Sequence, residues 1–167
     1  DWYAGILYKV DTKGKASVFW TNTTGIKSGP NGLDFHPDGY LLVSILSVNK
    51  KGLYANYGLV KVPVNNPKAA NLVTIPGTGF TGFDGMVITS KGEVIGVTNN
   101  GKTAGGNTLL KLSSKDNWKS AQINQSKSII PSTTVAVTPD GKPYVINQDF
   151  SPAAGKKKNW KIELIKF

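Results

Sequence analysis

The chain has 167 residues and a mass of 17.9 kDa, the size of one domain, and a compact chain of this mass buries roughly 69% of its unfolded surface. With 39% apolar residues, 18% charged residues and no long apolar run, its composition excludes a disordered segment, a transmembrane helix and a signal h-region. The absence of cysteine removes disulfide frameworks, thiol nucleophiles and cysteine-based metal centres, and leaves the redox compartment open. The net charge of +10 comes from lysine alone, since the chain has no arginine. Base-specific nucleic-acid readers lean on arginine, so no nucleic-acid partner is expected. Apart from Lys156-Lys157-Lys158 the lysines are scattered, the pattern of a solvated surface.

Nineteen glycines, nine prolines and many Thr, Asn and Val favour short strands and tight turns, an all-β composition. In chain order, a strand pair starts at Gly5-Ile-Leu-Tyr-Lys-Val and continues at Ala16-Ser-Val-Phe-Trp20. A hairpin follows, Asn31-Gly-Leu-Asp-Phe-His-Pro-Asp-Gly-Tyr-Leu-Leu-Val43, then strands at Gly58–Val64 and Asn71–Ile75. The hairpin returns at Asp84-Gly-Met-Val-Ile-Thr-Ser-Lys-Gly-Glu-Val-Ile-Gly96, followed by strands at Thr108–Leu112 and Ser120–Ile123. It returns again at Thr133-Thr-Val-Ala-Val-Thr-Pro-Asp-Gly-Lys-Pro-Tyr-Val145, followed by a strand at Trp160–Ile165. In each hairpin a period-2 strand meets a turn whose glycine takes a positive φ.

The hairpins recur about 50 residues apart, the length of a four-stranded propeller blade. With the strands of a blade named A to D, the chain reads CD, ABCD, ABCD, ABC. The segments are residues 1–24, 30–76, 83–127 and 132–167. Thirteen strands do not close a propeller. The expectation is therefore half of a six-bladed β-propeller, completed by an N-terminal half or by a second copy of the chain.

Asn31-Gly-Leu-Asp-Phe before Pro-Asp-Gly, and Asp84-Gly-Met-Val-Ile-Thr before Lys-Gly-Glu-Val, resemble two metal-bearing blades of the senescence marker protein, gluconolactonase and luciferin-regenerating enzyme superfamily. The resemblance implies a six-bladed propeller that hydrolyses a lactone or related ester with a divalent cation in its central channel. Calcium is the first expectation for that cation, with magnesium or zinc as alternatives. It implies Asn31 as a metal ligand and Asp84 as both metal ligand and catalytic base. The two remaining ligands of the family, a Glu and an Asn, have no counterpart in this chain. Lys115-Asp-Asn-Trp-Lys-Ser-Ala-Gln-Ile123 resembles a second family, secreted fungal propellers that include a yeast skin allergen. That resemblance implies a non-catalytic extracellular propeller binding a lipid or small molecule. The plainer reading of Asn31-Gly32 and Asp84-Gly85 is two turns entering strands.

Thr133, at the matching place in the third hairpin, is a candidate substrate contact. So are Tyr54 and Phe150, in rim loops expected at 44–56 and 147–159, and Asn99, in the loop after the second hairpin. Gly96-Val-Thr-Asn-Asn-Gly-Lys-Thr103 matches a phosphate-loop pattern, but loop and strand residues follow it where that function needs a helix. His36, the lone histidine, sits in a turn and is expected to pack there. Asn22-Thr-Thr and Asn124-Gln-Ser are N-glycosylation sequons expected in exposed loops just past a D strand.

Overall fold

The computed structural model describes residues 1–48, 54–77, 79–98, 107–129, 131–147 and 160–167. Within them the chain forms thirteen β-strands and a single 3-10 turn at Pro67–Ala69. The first sheet pairs β1 (Ile6–Val10) with β2 (Ala16–Thr21). The second runs in order through β3 (Gly29–His36), β4 (Tyr40–Val48), β5 (Tyr54–Pro63) and β6 (Asn71–Leu72). The third runs through β7 (Met86–Ile88), β8 (Val94–Thr98), β9 (Asn107–Ser113) and β10 (Gln122–Ile129). The last holds β11 (Ser132–Val137), β12 (Pro143–Asn147) and β13 (Lys161–Leu164). Every strand pairing is antiparallel, and the three hairpin glycines, Gly39, Gly92 and Gly141, take φ of 87°, 74° and 84°.

The sheets stack face to face, and each contact is a separate apolar core. Leu7 and Trp20 of the first sheet meet Leu41, Val43, Ile45, Val60 and Val62 of the second. Tyr40, Leu42 and Leu59, on the opposite face of the second sheet, meet Phe83, Met86, Val94, Leu110 and Leu112. Ile95, Val97 and Leu109 then meet Val135, Val145 and Ile165. Middle strands buried on both faces explain why 41–46 and 94–97 read as continuous apolar runs rather than as alternation. Each such buried side chain contributes about 1.5–3 kcal/mol relative to exposure.

The strand edges differ from the sequence reading at several points. Strand β4 extends to Val48 and β5 begins at Tyr54, so much of the rim loop expected at 44–56 is strand. Strand β10 runs to Ile129, which places Asn124 inside a strand, at a bulge between Ile123 and Gln125, rather than in a loop. Strand β6 shrinks to two residues, because the chain then leaves β5 and makes a parallel bridge from Thr74 to Ser120 of the neighbouring sheet. Gly96–Thr98 of the phosphate-loop pattern belong to strand β8, and the rest of the pattern lies outside the described residues.

The turn between β9 and β10 is built around one carboxylate. Asp116 accepts from the Ser120 backbone N–H (2.9 Å), the Ser120 hydroxyl (2.7 Å) and the Ser114 hydroxyl (2.8 Å). Ser114 in turn accepts the Trp118 N–H at 2.8 Å. These bonds hold Asn117 and Trp118 at φ of 58° and 60°, a left-handed conformation that costs a bulky residue about 1–2 kcal/mol. Burial of Trp118, 3% exposed in the core between the second and third sheets, offsets the cost.

The same bonds, those from Ser120 foremost, lower the Asp116 carboxyl from its ordinary 3.8 to about 2. A depressed carboxylate stabilises the fold above its unfolded value and loses that contribution as pH falls through its folded value. Stability of the wild type should therefore fall between about pH 4 and pH 2. Asp116→Asn should flatten this part of a denaturant midpoint-versus-pH curve. Trp118→Ala should cost about 3–5 kcal/mol in the same assay, the range for emptying a buried tryptophan site.

Candidate functional site

The first strands of the three hairpins, β3, β7 and β11, are the edge strands of their sheets and lie side by side. Two glycines allow this approach. A Cβ on Gly32 would lie 2.8 Å from the Asp84 carbonyl oxygen, and one on Gly85 would lie 2.6 Å from Thr134 Cα and 2.7 Å from the Thr133 carbonyl oxygen. Gly32 lies inside β3, whereas Asp84 and Gly85 form a bend entering β7 as the plainer sequence reading expects, and both glycines are also points of close contact between neighbouring hairpins. Their effect is to bring the start of each hairpin against the next.

Asn31 and Asp84 meet directly: the Asn31 Nδ2–H donates to Asp84 Oδ1 at 3.1 Å. Asn31 is exposed, while Asp84 and Thr133 are half-buried. Thr133 follows Asp84 around the row, its backbone against Gly85. His36 lies at the far end of β3, packed in its turn. Its ring stacks on Tyr40 with centroids 4.4 Å apart, and Nδ1 accepts the Asp38 N–H at 3.2 Å.

Three polar side chains, none singled out by the sequence reading, hold this row. Ser44 is fully buried in β4 and its Oγ accepts the Phe83 N–H at 2.6 Å, immediately before Asp84. Asn107, buried in β9, donates through Nδ2 to the Ser132 carbonyl, immediately before Thr133. Asp34 of β3 accepts the Ile88 N–H of β7 at 2.7 Å through Oδ2. A sequence signal existed for Ser44, the one hydroxyl in the apolar run 41–46.

Beside the start of β3 lies a pocket of about 650 Å³ lined by Trp2, Tyr3, Asn22, Ile26, Ser28 and Ser47, among others. The Trp2 indole N–H donates to the Leu46 carbonyl at 2.9 Å, and the Trp2 and Tyr3 rings meet edge to face at 5.0 Å. Asn22 organises the pocket's loop, donating to the carbonyls of Ile26 (2.9 Å) and Ser28 (2.8 Å) and accepting from the Thr24 hydroxyl at 2.7 Å. It is a half-buried sequon asparagine whose amide is already engaged. Asn124 is exposed and donates to Ser113 Oγ at 2.7 Å. Tyr54 opens β5, whereas Asn99 and Phe150 lie outside the described residues.

A second pocket, of about 590 Å³, lies at the opposite ends of the hairpins between the two four-stranded sheets. There the Lys61 ammonium donates to the Asn117 carbonyl (2.9 Å) and Oδ1 (2.6 Å) and sits 4.1 Å from the centre of the Tyr40 ring. Burial lowers the Lys61 ammonium pKa. Burial first, and then Asp38, push the Tyr40 hydroxyl up to about 12. With its protons directed at Asn117 and the ring face, Lys61 acts as a strut between sheets.

The pair Asn31 and Asp84 suits a hard cation in kind, since an amide oxygen and a carboxylate are calcium- and magnesium-type donors. Among the described residues no cluster of three His, Cys, Asp or Glu side chains is placed to hold a metal. Calcium takes six to eight oxygens, so this pair forms part of a coordination shell at most.

Comparison with known proteins finds no family model and no curated protein that matches the sequence. Among solved structures, the chain is similar to the major Malassezia sympodialis allergen Mala s 1, with 20% identity and a TM-score of 0.58. That match covers 86% of this chain and 44% of the allergen. It is also similar to a candidate gluconolactonase, with 16% identity and a TM-score of 0.52, over 95% of this chain and 45% of the other. At these identities the likeness is one of fold. The chain spans less than half the length of either structure.

A methyl group at Gly85 would meet the Thr134 hydroxyl as well as the backbone of Thr133 and Thr134, all within 2.7 Å. Gly85→Ala should therefore lower stability by about 1–3 kcal/mol through overpacking. Gly39→Ala, whose Cβ would meet nothing within 4 Å, should cost only its left-handed backbone, about 1–2 kcal/mol. Chemical shifts distinguish the two variants: Gly85→Ala should perturb Asn31, Asp84 and Thr133, and Gly39→Ala should not.

Proposed function

We propose that this chain is half of a six-bladed propeller that hydrolyses a lactone or related ester, and that it contributes Asn31 and Asp84 to a divalent cation site on the propeller axis. The observation that carries the reading is the contact of Asn31 Nδ2 with Asp84 Oδ1 at 3.1 Å, between the starts of adjacent edge strands. A propeller turns such strand starts toward one axial point. The cation, calcium by preference and magnesium or zinc otherwise, would polarise the acyl oxygen and stabilise its developing charge. Asn31 orients the carboxylate of Asp84 through Oδ1. Asp84 takes the proton of the water that attacks the acyl carbon, the role of a general base. Thr133, next in the row, would contact bound substrate. Tyr54 and Phe150 remain candidates for contacts to its organic part.

The second reading is a non-catalytic extracellular propeller that binds a lipid or small molecule. The pocket beside β3 favours it, because its lining combines aromatic, amide and hydroxyl groups with the Lys27 ammonium and no carboxylate, which suits an organic ligand with a polar or anionic group. An extracellular location would show as glycan mass at Asn22 or Asn124, and Asn124, exposed in its strand, is the more accessible acceptor.

In the complete protein loaded with a divalent ion, Asp84→Asn should reduce hydrolysis of small lactones by about 10²-fold or more. Chelation should abolish it. Lactone turnover that survives both treatments rejects this mechanism. No turnover across several lactones in the metal-loaded protein transfers the assignment to the binding propeller.

A further inference from the structure

The two four-stranded sheets carry a lysine at the same place in their third strands, and its surroundings differ between them. Lys61 in β5 is paired across the ladder with Leu42, and Lys111 in β9 with Ile95. Two residues before each of these partners, on the same face of the sheet, the repeats part. Glu93 stands there in the third sheet and binds Lys111 at 2.9 Å, whereas Tyr40 stands there in the second and offers Lys61 a ring instead of a carboxylate. The hairpin turns part as well: Asp38 and Asp140 precede the turn glycine in the second and fourth sheets, but Lys91 does so in the third. Both departures remove negative charge. Both fall on the cavity of about 590 Å³ between the second and third sheets, which Lys115 also lines.

We propose that this cavity binds a small multivalent anion whose two anionic groups bridge Lys61 of the second sheet to Lys91 and Lys115 of the third. Among the described residues none of these three lysines takes part in an ion pair, and Asp38 is the one carboxylate on the cavity's lining. The partners of Lys61, two oxygens of Asn117 and the Tyr40 ring, are neutral, so they orient the ammonium and leave its charge uncancelled. Burial lowers the Lys61 pKa, Lys119 lowers it further and Asp38 opposes the shift. Like charges gathered around one cavity repel, and an anion between them relieves that repulsion. Lysine suits such a ligand as a point charge, without the planar fork with which arginine grips a single carboxylate or phosphate. Three ammonium groups on separate elements favour anionic groups held apart, as in a dicarboxylate or a diphosphate, and the volume fits a small molecule. The site lies at the ends of the hairpins opposite Asn31 and Asp84, between two sheets that this chain supplies in full. It depends neither on lactone chemistry nor on the six-bladed reading.

The test titrates the protein at low salt with succinate, pyrophosphate and acetate, by calorimetry and by amide chemical shifts. Succinate or pyrophosphate should bind saturably with a Kd below about 1 mM, and acetate about 10-fold or more weakly. Shifts should centre on Gly39, Gly92 and Asn117, and Asn31 and Asp84 should stay still. The tighter of the two probes tells a dicarboxylate ligand from a diphosphate. Lys91→Gln and Lys115→Gln should each weaken binding about 10-fold, and Asp38→Asn should strengthen it. Lys91 and Lys115 are exposed turn residues, so their variants should keep the wild-type denaturant midpoint in the absence of ligand. Lys61→Gln should abolish binding, and the two turn variants decide the matter if that protein does not fold. Three results would overturn the proposal: no saturable binding of either probe up to about 10 mM, acetate bound as tightly as the multivalent anions, or affinity that Lys91→Gln and Lys115→Gln leave unchanged.

Discussion

Close approach between adjacent edge strands is the constraint on which the rest of this structure depends. Antiparallel sheets stacked face to face usually stand about 10 Å apart. For the edges of such sheets to converge, their backbones must come nearer than any side chain permits, and Gly32 and Gly85 meet that condition with no Cβ to separate the strands. Everything that gives Asn31, Asp84 and Thr133 a shared environment follows from it. The apolar cores between sheets supply the free energy of stacking, but they would tolerate a looser row.

Buried hydrogen bonds then lock what the glycines allow. Phe83 and Ser132 sit next to the two residues that matter, in places where a backbone group without a partner would cost about 1–3 kcal/mol. Ser44 and Asn107 reach across from the preceding element to satisfy them. The chemistry of the row is thereby separated from its support: Asn31 is exposed, and the groups that fix its neighbours are deeply buried. At the opposite ends of the hairpins, Asp116, Trp118 and Lys61 tie the same two sheets together with a strained turn and a half-buried ammonium. The two four-stranded sheets are thus fastened at both ends.

Much of this architecture was legible in the sequence because repetition carries information that single segments lack. Three hairpins with a glycine after Pro-Asp or Ser-Lys set the turns, and the short apolar strands that follow each hairpin set the rest of each sheet. Asn31 and Asp84 stood out by their equivalent places one repeat apart, and they do meet. The rim was harder to read. Strand β4 runs on to Val48 because its cross-strand pairing with β5 continues beyond the apolar core, and β10 runs past Asn124 by absorbing it in a bulge. Trp2 and Tyr3 become pocket walls through residues distant in sequence, among them Ile26, Ser28 and Ser47.

What the sequence by itself determined is strand order, hairpin register and the identity of the two polar residues at the strand starts, since all of these are local or repeat with a fixed period. Tertiary structure alone decided the work of the glycines, the partners of Ser44 and Asn107, and the left-handed turn that seats Trp118. Each depends on what lies across an interface, which no local pattern encodes. The same distinction separates Val10 from Val62: identical residues in equivalent strands, one exposed and one buried, because only one of them has a sheet in front of it.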